Sequence, residues 1–413
     1  MHPINLLFPT VIQDVPCREV AHDSLMVIRI KTEYTVQVAD EEPMPLTLLL
    51  HLMTNPFHSS KARSFSFRFL HLALFVSALF TCGINSHAGV PDEKDMAAYL
   101  LVYFKDQDHS LYFALSSDGY TFTDVNNGQP VMKGADIAEQ KGIRDPHIVR
   151  GPDNAFYLSM TDLNILGRQM GYRTTEWQRD ASKYDWGNNR ALVLMKSTNL
   201  VDWSHTDLRV DQAFPGLADI GCVWAPETIY DAEKGKMMIY FTLRFGHGKT
   251  GLYYSYTDDA FTKLETYPEV LFKYPRDIQI LDGDISKVGD KFHLFYVAQE
   301  RDGGIKQAVS DKINRDYVFD PAKVSPETLG HEAPNLWKRN GENKWVLMYD
   351  VFGLRPSNMG FAETTDFKTF TKLGYFNDGV MKATNFSSPK HGAVISLTAA
   401  EAKRLADHWR SAK

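Results

Sequence analysis

The stretch GIRDPHIVRGPDNAFYLSMTDL, residues Gly142–Leu163, reads as two β-strands joined by a turn. Ile148 and Val149 are β-branched, Gly151-Pro152-Asp153-Asn154 is turn chemistry, and Phe156-Tyr157-Leu158 resumes the extended pattern. Pro146 donates no backbone hydrogen bond and suits the first residues of a strand, which places Asp145 at a strand entrance. Period-2 alternation then turns Asp145 and His147 to the same side and Arg144 to the other. Alone, Asp145 could be a solvated turn residue.

The pattern recurs along the chain. Strands carrying paired aromatic or aliphatic residues appear at Tyr103-Phe104, Phe156-Tyr157-Leu158, Ile239-Tyr240-Phe241, Leu294-Phe295-Tyr296 and Val346-Leu347-Met348-Tyr349. Each is followed by another strand and a tag of small and acidic residues leading to an aromatic. The tags are SSDGYTF at Ser116–Phe122, STNLVDW at Ser197–Trp203, YTDDAF at Tyr256–Phe261, VSDKINRDY at Val309–Tyr317 and TTDFKTF at Thr364–Phe370. Five copies, with hairpins turning at Ser/Thr-Asp tags, predict an all-β fold, a five-bladed β-propeller. A β-sandwich would need about seven short strands at regular spacing and leaves the fivefold tag unexplained.

Composition agrees with a globular domain. The 413 residues are 44% hydrophobic and 12% aromatic with a net charge of −6, a balance that excludes a nucleic-acid-binding surface. Cys17, Cys82 and Cys222 are too few and too scattered for a disulfide framework or a zinc site. Residues 1–52 carry no repeat or clear pattern and read as an upstream or unstructured extension. Residues 53–88 read as a signal peptide: Lys61, Arg63 and Arg68 precede the apolar run Phe69–Thr81, and Ser86-His87-Ala88 is a small-x-small end. The run is short for a membrane span of about 20 residues. Residues 89–413 are then the exported propeller, periplasmic or secreted, without stable membrane association.

In a propeller the innermost strands converge on a central channel, so strand-entrance residues of different blades meet. Those entrances are Arg144-Asp145-Pro146, Trp224-Ala225-Pro226-Glu227, Leu281-Asp282-Gly283-Asp284 and His331-Glu332-Ala333-Pro334. Carboxylates gathered at one channel mouth raise one another's pKa, and such clusters are where acid–base chemistry is found. Calcium ligands or solvated loop acids are the alternative reading.

These stretches resemble glycoside hydrolase family 43. GIRDPHIVRGPDNAFYL, QILDGDISKVGDKFHLFY and GHEAPNLWK match its three acid-bearing strands, and CVWAPETIYD and SPKHGAVISLT are also similar, so that roughly residues 97–400 are covered. The resemblance implies a carbohydrate substrate, with Asp145 as general base, Asp282 as pKa modulator and Glu332 as general acid. Asp282 and Asp284, at i and i+2, can both face the channel; Asp282 is chosen from its place after Leu281. Inversion needs a protonated acid at the leaving oxygen and an ionised base that activates water, about 6.5–9.5 Å apart.

Other candidates are less specific. Trp224 is an aromatic wall for a sugar or a core residue of its blade. Arg355, Asp284 and His331 are further candidate substrate contacts. His391 resembles the family's central histidine, near a bound ion or water, which implies either a calcium ion, met through water, or a water cluster at the pocket base. The resemblance implies an α-L-arabinofuranosidase or β-xylosidase. Asn164–Asn189, a long insertion rich in Arg, Tyr and Trp with no clear pattern of its own, reads as the wall of the pocket. A non-catalytic carbohydrate-binding propeller, and an anhydrogalactosidase-like enzyme using a histidine acid such as His331, are the rivals.

Overall fold

The computed structural model describes residues 90–172, 179–301 and 303–411, together with a short antiparallel pair, Thr35–Val36 and Met44–Pro45. The chain forms two compact units, Met1–Asn85 and Ser86–Lys413. Apart from that pair, the segments read as an extension and a signal peptide lie outside the described residues.

Among the described residues of the second unit, the strands form five blades. Four of them begin at the axis with Ile143–Arg150, Ile220–Asp231, Ile280–Val288 and Glu332–Lys338, and step outward by antiparallel pairing. The remaining blade is closed by both ends of the propeller: its innermost strand is Lys390–Thr398, hydrogen-bonded to Met96–Phe104. The five inner strands pack against one another in a ring. A helix, Ala399–Ser411, follows the closing strand, and Glu401 on it binds Arg150 of the neighbouring blade at 2.6 Å.

The repeated tags join the third strand of each blade to the fourth. In the tag at Ser116–Phe122 the Ser116 hydroxyl accepts from Gly119 N, and Asp118 Oδ1 from Tyr120 N and Thr121 N. Thr364 and Asp366 do the same for Phe367, Lys368 and Thr369. Short polar side chains thereby take over the turn's backbone donors, which is why this composition repeats where the chain must reverse. Apolar residues of neighbouring blades interdigitate between the sheets, as where Tyr157 meets Phe261 edge-on with ring centroids 5.0 Å apart.

Every inner strand also bulges near its start. The ladder slips between Arg144 and His147, Trp224 and Glu227, Leu281 and Asp284, Glu332 and Asn335, and Lys390 and Ala393. In four of them the bulged residue has a left-handed φ: 53° at Asp145, 45° at Ala225, 52° at Asp282 and 60° at Ala333. A residue of this kind costs of order 1–3 kcal/mol and persists only where its surroundings hold it. Here the adjacent blade does so. Ala225 N donates to Thr161 Oγ1 at 2.8 Å, Asp282 N to Thr242 Oγ1 at 3.0 Å, and Ala333 N to Asp282 Oδ2 at 3.3 Å.

Two residues further down the strands lies a second belt. Thr228 N donates to His147 Nδ1, Ile285 N to the Tyr240 hydroxyl, Leu336 N to Asp284 Oδ2 and Val394 N to Asn335 Oδ1. Each bond crosses from one blade to the next, so this polar ring fastens the inner strands to one another.

Candidate active site

The bulges aim side chains into a cavity of about 430 Å³ at the channel mouth, lined among others by Asp145, Asp282, Glu332, His391 and Trp224. Apart from Leu163 and Trp186, its lining residues come from all five inner strands, each within the first five residues of its strand.

At the floor, His391 Nδ1 stands 3.2 Å from Asp145 Oδ1, and the Thr161 hydroxyl donates to Asp145 Oδ2 at 2.7 Å. Burial alone would raise the Asp145 pKa, but His391, then Arg144 and the Thr161 bond, outweigh it and hold the carboxyl well below the ordinary aspartate range. Burial likewise opposes charge on His391, yet the Asp145 carboxylate raises its pKa. Glu332 moves the other way. Burial, then the charges of Asp282 and Asp350, push it up to about 8 against the weaker pull of Lys390 and His391. Asp282 is raised by burial first, with Asp145 adding to it. The cavity thus has one carboxyl kept ionised and another kept protonated near neutral pH, the pairing that hydrolysis of a glycosidic bond requires.

Asp350 and Lys390 were not singled out from the sequence. Asp350 is the cross-strand partner of Glu332, and Lys390 Nζ lies 3.1 Å from its Oδ2 and 3.5 Å from Asp106. Only the pairing of two strands brings this buried charge pair beside Glu332.

The expected orientation of Arg144 is corrected. It does not face away from Asp145 but lines the cavity, with Nη1 2.7 Å from Asp106 Oδ1 and its guanidinium 4.6 Å from the centre of the Phe104 ring. The bulge breaks the period-2 alternation on which the expectation rested.

For the same reason Asp284 is not a pocket residue. It belongs to the lower belt, where it accepts from Leu336 N at 3.1 Å and Asn335 Nδ2 at 3.3 Å, and burial pushes its pKa up to about 7. His147 lies in that belt too rather than beside Asp145. Nor does His331 reach the cavity: its Nε2 is 2.6 Å from the Ser325 hydroxyl and its Nδ1 2.8 Å from the Leu329 carbonyl. That takes away the histidine acid of the anhydrogalactosidase-like reading. Arg355 is exposed, and its guanidinium folds back onto the carbonyls of Phe352 and Leu354, so it is no substrate contact in this arrangement.

Trp224 does line the cavity, and its indole N–H donates to the Gly187 carbonyl at 2.8 Å. The insertion after Leu163 supplies Trp186, whose ring meets Trp224 at 6.0 Å and 65°. The aromatic content of Asn164–Asn189 was the signal for it; residues 173–178 of that insertion lie outside the described residues.

Among the described residues, His147, Glu227 and Asp284 form a group whose ligand atoms all lie within 4.8 Å of one another. It does not fit a metal. Burial keeps His147 neutral, its pKa pushed down to about 3, and its Nδ1 already accepts the Thr228 N–H. The proton of the neutral ring is then on Nε2, which faces Glu227 at 3.9 Å and has no lone pair for a cation. Glu227 is raised by burial and by Asp284, and its Oε2 accepts the Tyr240 hydroxyl at 2.7 Å.

A channel mouth that favours one ionised and one protonated carboxyl has the pairing that glycoside hydrolysis requires, and the family to which the chain belongs agrees with it. The chain belongs to the glycosyl hydrolase 43-related family, whose sequence profile, described as a probable glycosyl hydrolase domain, matches residues 94–403. It is also similar to an α-L-arabinofuranosidase of Bifidobacterium longum subsp. longum, with 26% identity over 203 residues; the match covers 43% of this chain and 17% of that protein. Of solved structures, it resembles an α-L-arabinofuranosidase from Clostridium thermocellum, with 14% identity, 65% and 84% of the two chains covered and a TM-score of 0.44. A Cellvibrio cellulosa α-L-arabinanase solved with arabinohexaose matches at 14% identity, 67% and 91% coverage and a TM-score of 0.42.

Proposed function

We propose that this glycoside hydrolase removes pentose units, α-L-arabinofuranosyl or β-xylosyl, from plant or algal polysaccharides or their oligosaccharides, with inversion and outside the cytoplasm. The observation that carries the mechanism is that one cavity holds both Asp145, faced by His391 and the Thr161 hydroxyl, and Glu332, set beside the acids Asp282 and Asp350, surroundings that favour the ionised form of the first and the protonated form of the second. Glu332 donates its proton to the glycosidic oxygen as the bond to the anomeric carbon breaks. Asp145 takes a proton from a water molecule, whose oxygen attacks that carbon from the opposite face. Each turnover leaves Glu332 ionised and Asp145 protonated, and exchange with solvent resets both. Asp282 acts on Glu332 through its charge and through its bond to Ala333 N, the amide next in the chain. The sugar preference is supported by the relative named as an α-L-arabinofuranosidase, of which this chain spans only a sixth or so.

Calcium, if bound at the pocket base, would meet His391 only through Nε2, because Nδ1 is turned to Asp145. The ion prefers six to eight oxygen ligands, so water would have to provide most of them. Its chemistry there would be to neutralise charge around the acids.

The test is turnover of a panel of nitrophenyl pentosides and hexosides, then of natural oligosaccharides, with the product anomer read by NMR before mutarotation. A retained configuration would overturn the roles of Asp145 and Glu332. Binding of oligosaccharides without cleavage would favour the carbohydrate-binding rival. Export is tested separately: expression with the native leader should yield a mature N-terminus at Gly89, and an intact leader on the product would refute it.

A further inference from the structure

Trp186 is 61% exposed, whereas the other residues lining the catalytic cavity are buried or half-buried. A large aromatic facing water usually sits on a mobile loop, but the backbone that carries this one is clamped. Arg244, itself buried, donates from Nη2 to the Trp186 carbonyl at 3.0 Å and to the Tyr184 carbonyl at 2.7 Å. Trp224 donates to the Gly187 carbonyl, and Asn188 Nδ2 to the Asp185 carbonyl at 2.8 Å. Gly187 has a φ of 64°, and a Cβ there would come within 2.9 Å of the Trp224 ring, so the loop closes on Trp224 only with glycine in this place. Three side chains and one glycine thus fix the loop backbone that carries the exposed indole, and the ring itself meets Trp224.

Its location says what it is held for. Trp186 borders two spaces at once: the catalytic cavity and a cleft of about 1080 Å³ lined by Ile165, Arg168, Asp180 and Asn188 among others. The acids sit on the buried side of the cavity and Trp186 on its open side. A glycosyl unit seated on the acids must lead the rest of its substrate past this ring.

We propose that Trp186 is the platform on which the sugar next to the scissile bond stacks, and that the adjoining cleft receives the remainder of the leaving group. The ring's apolar face covers the C–H face of a pyranose or furanose, while the cleft offers both charged and amide groups to its hydroxyls. The enzyme would therefore act on units that end a chain or branch and would select its substrate by the sugar that leaves as well as by the one that is cleaved. This rests on the pentosidase reading.

The experiment compares wild type with Trp186→Ala and Trp186→Phe on α-1,5-linked arabinotriose and β-1,4-linked xylotriose, and on the matching glycosyl fluorides, whose leaving group has no ring. For Trp186→Ala the loss of kcat/KM on the trisaccharide should exceed the loss on the fluoride by 10- to 100-fold, the scale of a well-packed aromatic anchor. Trp186→Phe should recover most of it. Equal losses on both substrates, or no loss on the trisaccharide, would overturn the platform. If no pentoside is cleaved at all, the pentosidase reading has failed, and calorimetric binding of the same trisaccharides decides the platform by itself. Binding weakened by Trp186→Ala and restored by Trp186→Phe supports it; binding indifferent to either, or none by the wild type, overturns it.

Discussion

Replacing His391 by asparagine tests the electrostatic design of the site most directly. The imidazolium faces Asp145 at 3.2 Å. At an effective dielectric constant of about 20, two unit charges at that distance attract by about 5 kcal/mol, equivalent to a shift of nearly 4 pKa units at about 1.4 kcal/mol each. Asp145 keeps Arg144 and the Thr161 hydroxyl, and water entering the space will solvate it, so a rise of about 1–3 units is the expected remainder. The sign is the same for the other acids, because His391 also lowers the pKa of Asp282 and of Glu332. The whole bell of kcat/KM against pH should therefore move to higher pH. The acid limb, below the ordinary aspartate value of about 3.9 in the wild type if Asp145 sets it, should rise by at least one unit. At the acid end of the profile, near pH 3.5, the variant should keep a smaller fraction of its pH 7 activity than the wild type does. Kinetics across pH 3.5–9 on one fast substrate, with circular dichroism at each pH, read this out. A uniform loss at every pH, or an acid limb that stays or moves down in a folded variant, would refute the argument.

Glu332→Gln keeps the shape of the side chain but removes its transferable proton, so turnover of natural substrates should fall by about 10²–10⁴-fold; the deficit should shrink for nitrophenyl glycosides, while that of Asp145→Asn should not, and parallel behaviour of the two variants would refute the division of roles. Asp284→Ala leaves Leu336 N and Asn335 Nδ2 without their acceptor, at about 1–3 kcal/mol for each buried group. It should lower the melting temperature by several degrees while the folded fraction keeps its KM, and an unchanged melting temperature would speak against the belt. Arg355→Ala, in contrast, should change kcat/KM by less than about twofold, since its guanidinium is spent on its own loop. Chelation should lower activity or stability by a modest factor only, and complete, metal-selective loss of turnover would place an ion in the bond-breaking step.

The propeller was legible in the chain because its repeat is local. Ser116, Asp118, Thr364 and Asp366 make their turns with backbone a few residues away, so the tags recur wherever an outer hairpin must close. Strand entrances could also be read, and with them Asp145, Asp282 and Glu332, since a proline or glycine after the bulged residue is visible in one dimension. What could not be read is which way those entrances turn. A residue before proline is expected to be extended, yet Asp145, Ala225 and Ala333 take a left-handed φ because an adjacent blade supplies acceptors, or in Asp145's case His391 for its carboxylate, that no local pattern announces. That half-turn rotates Arg144 into the cavity and separates Asp282 from Asp284, one at the pocket and the other in the belt that fastens the blades. Likewise Asp350 stands beside Glu332, and Trp186 against Trp224, through strand pairing and loop closure, and these are set by packing across the ring rather than by neighbours in sequence.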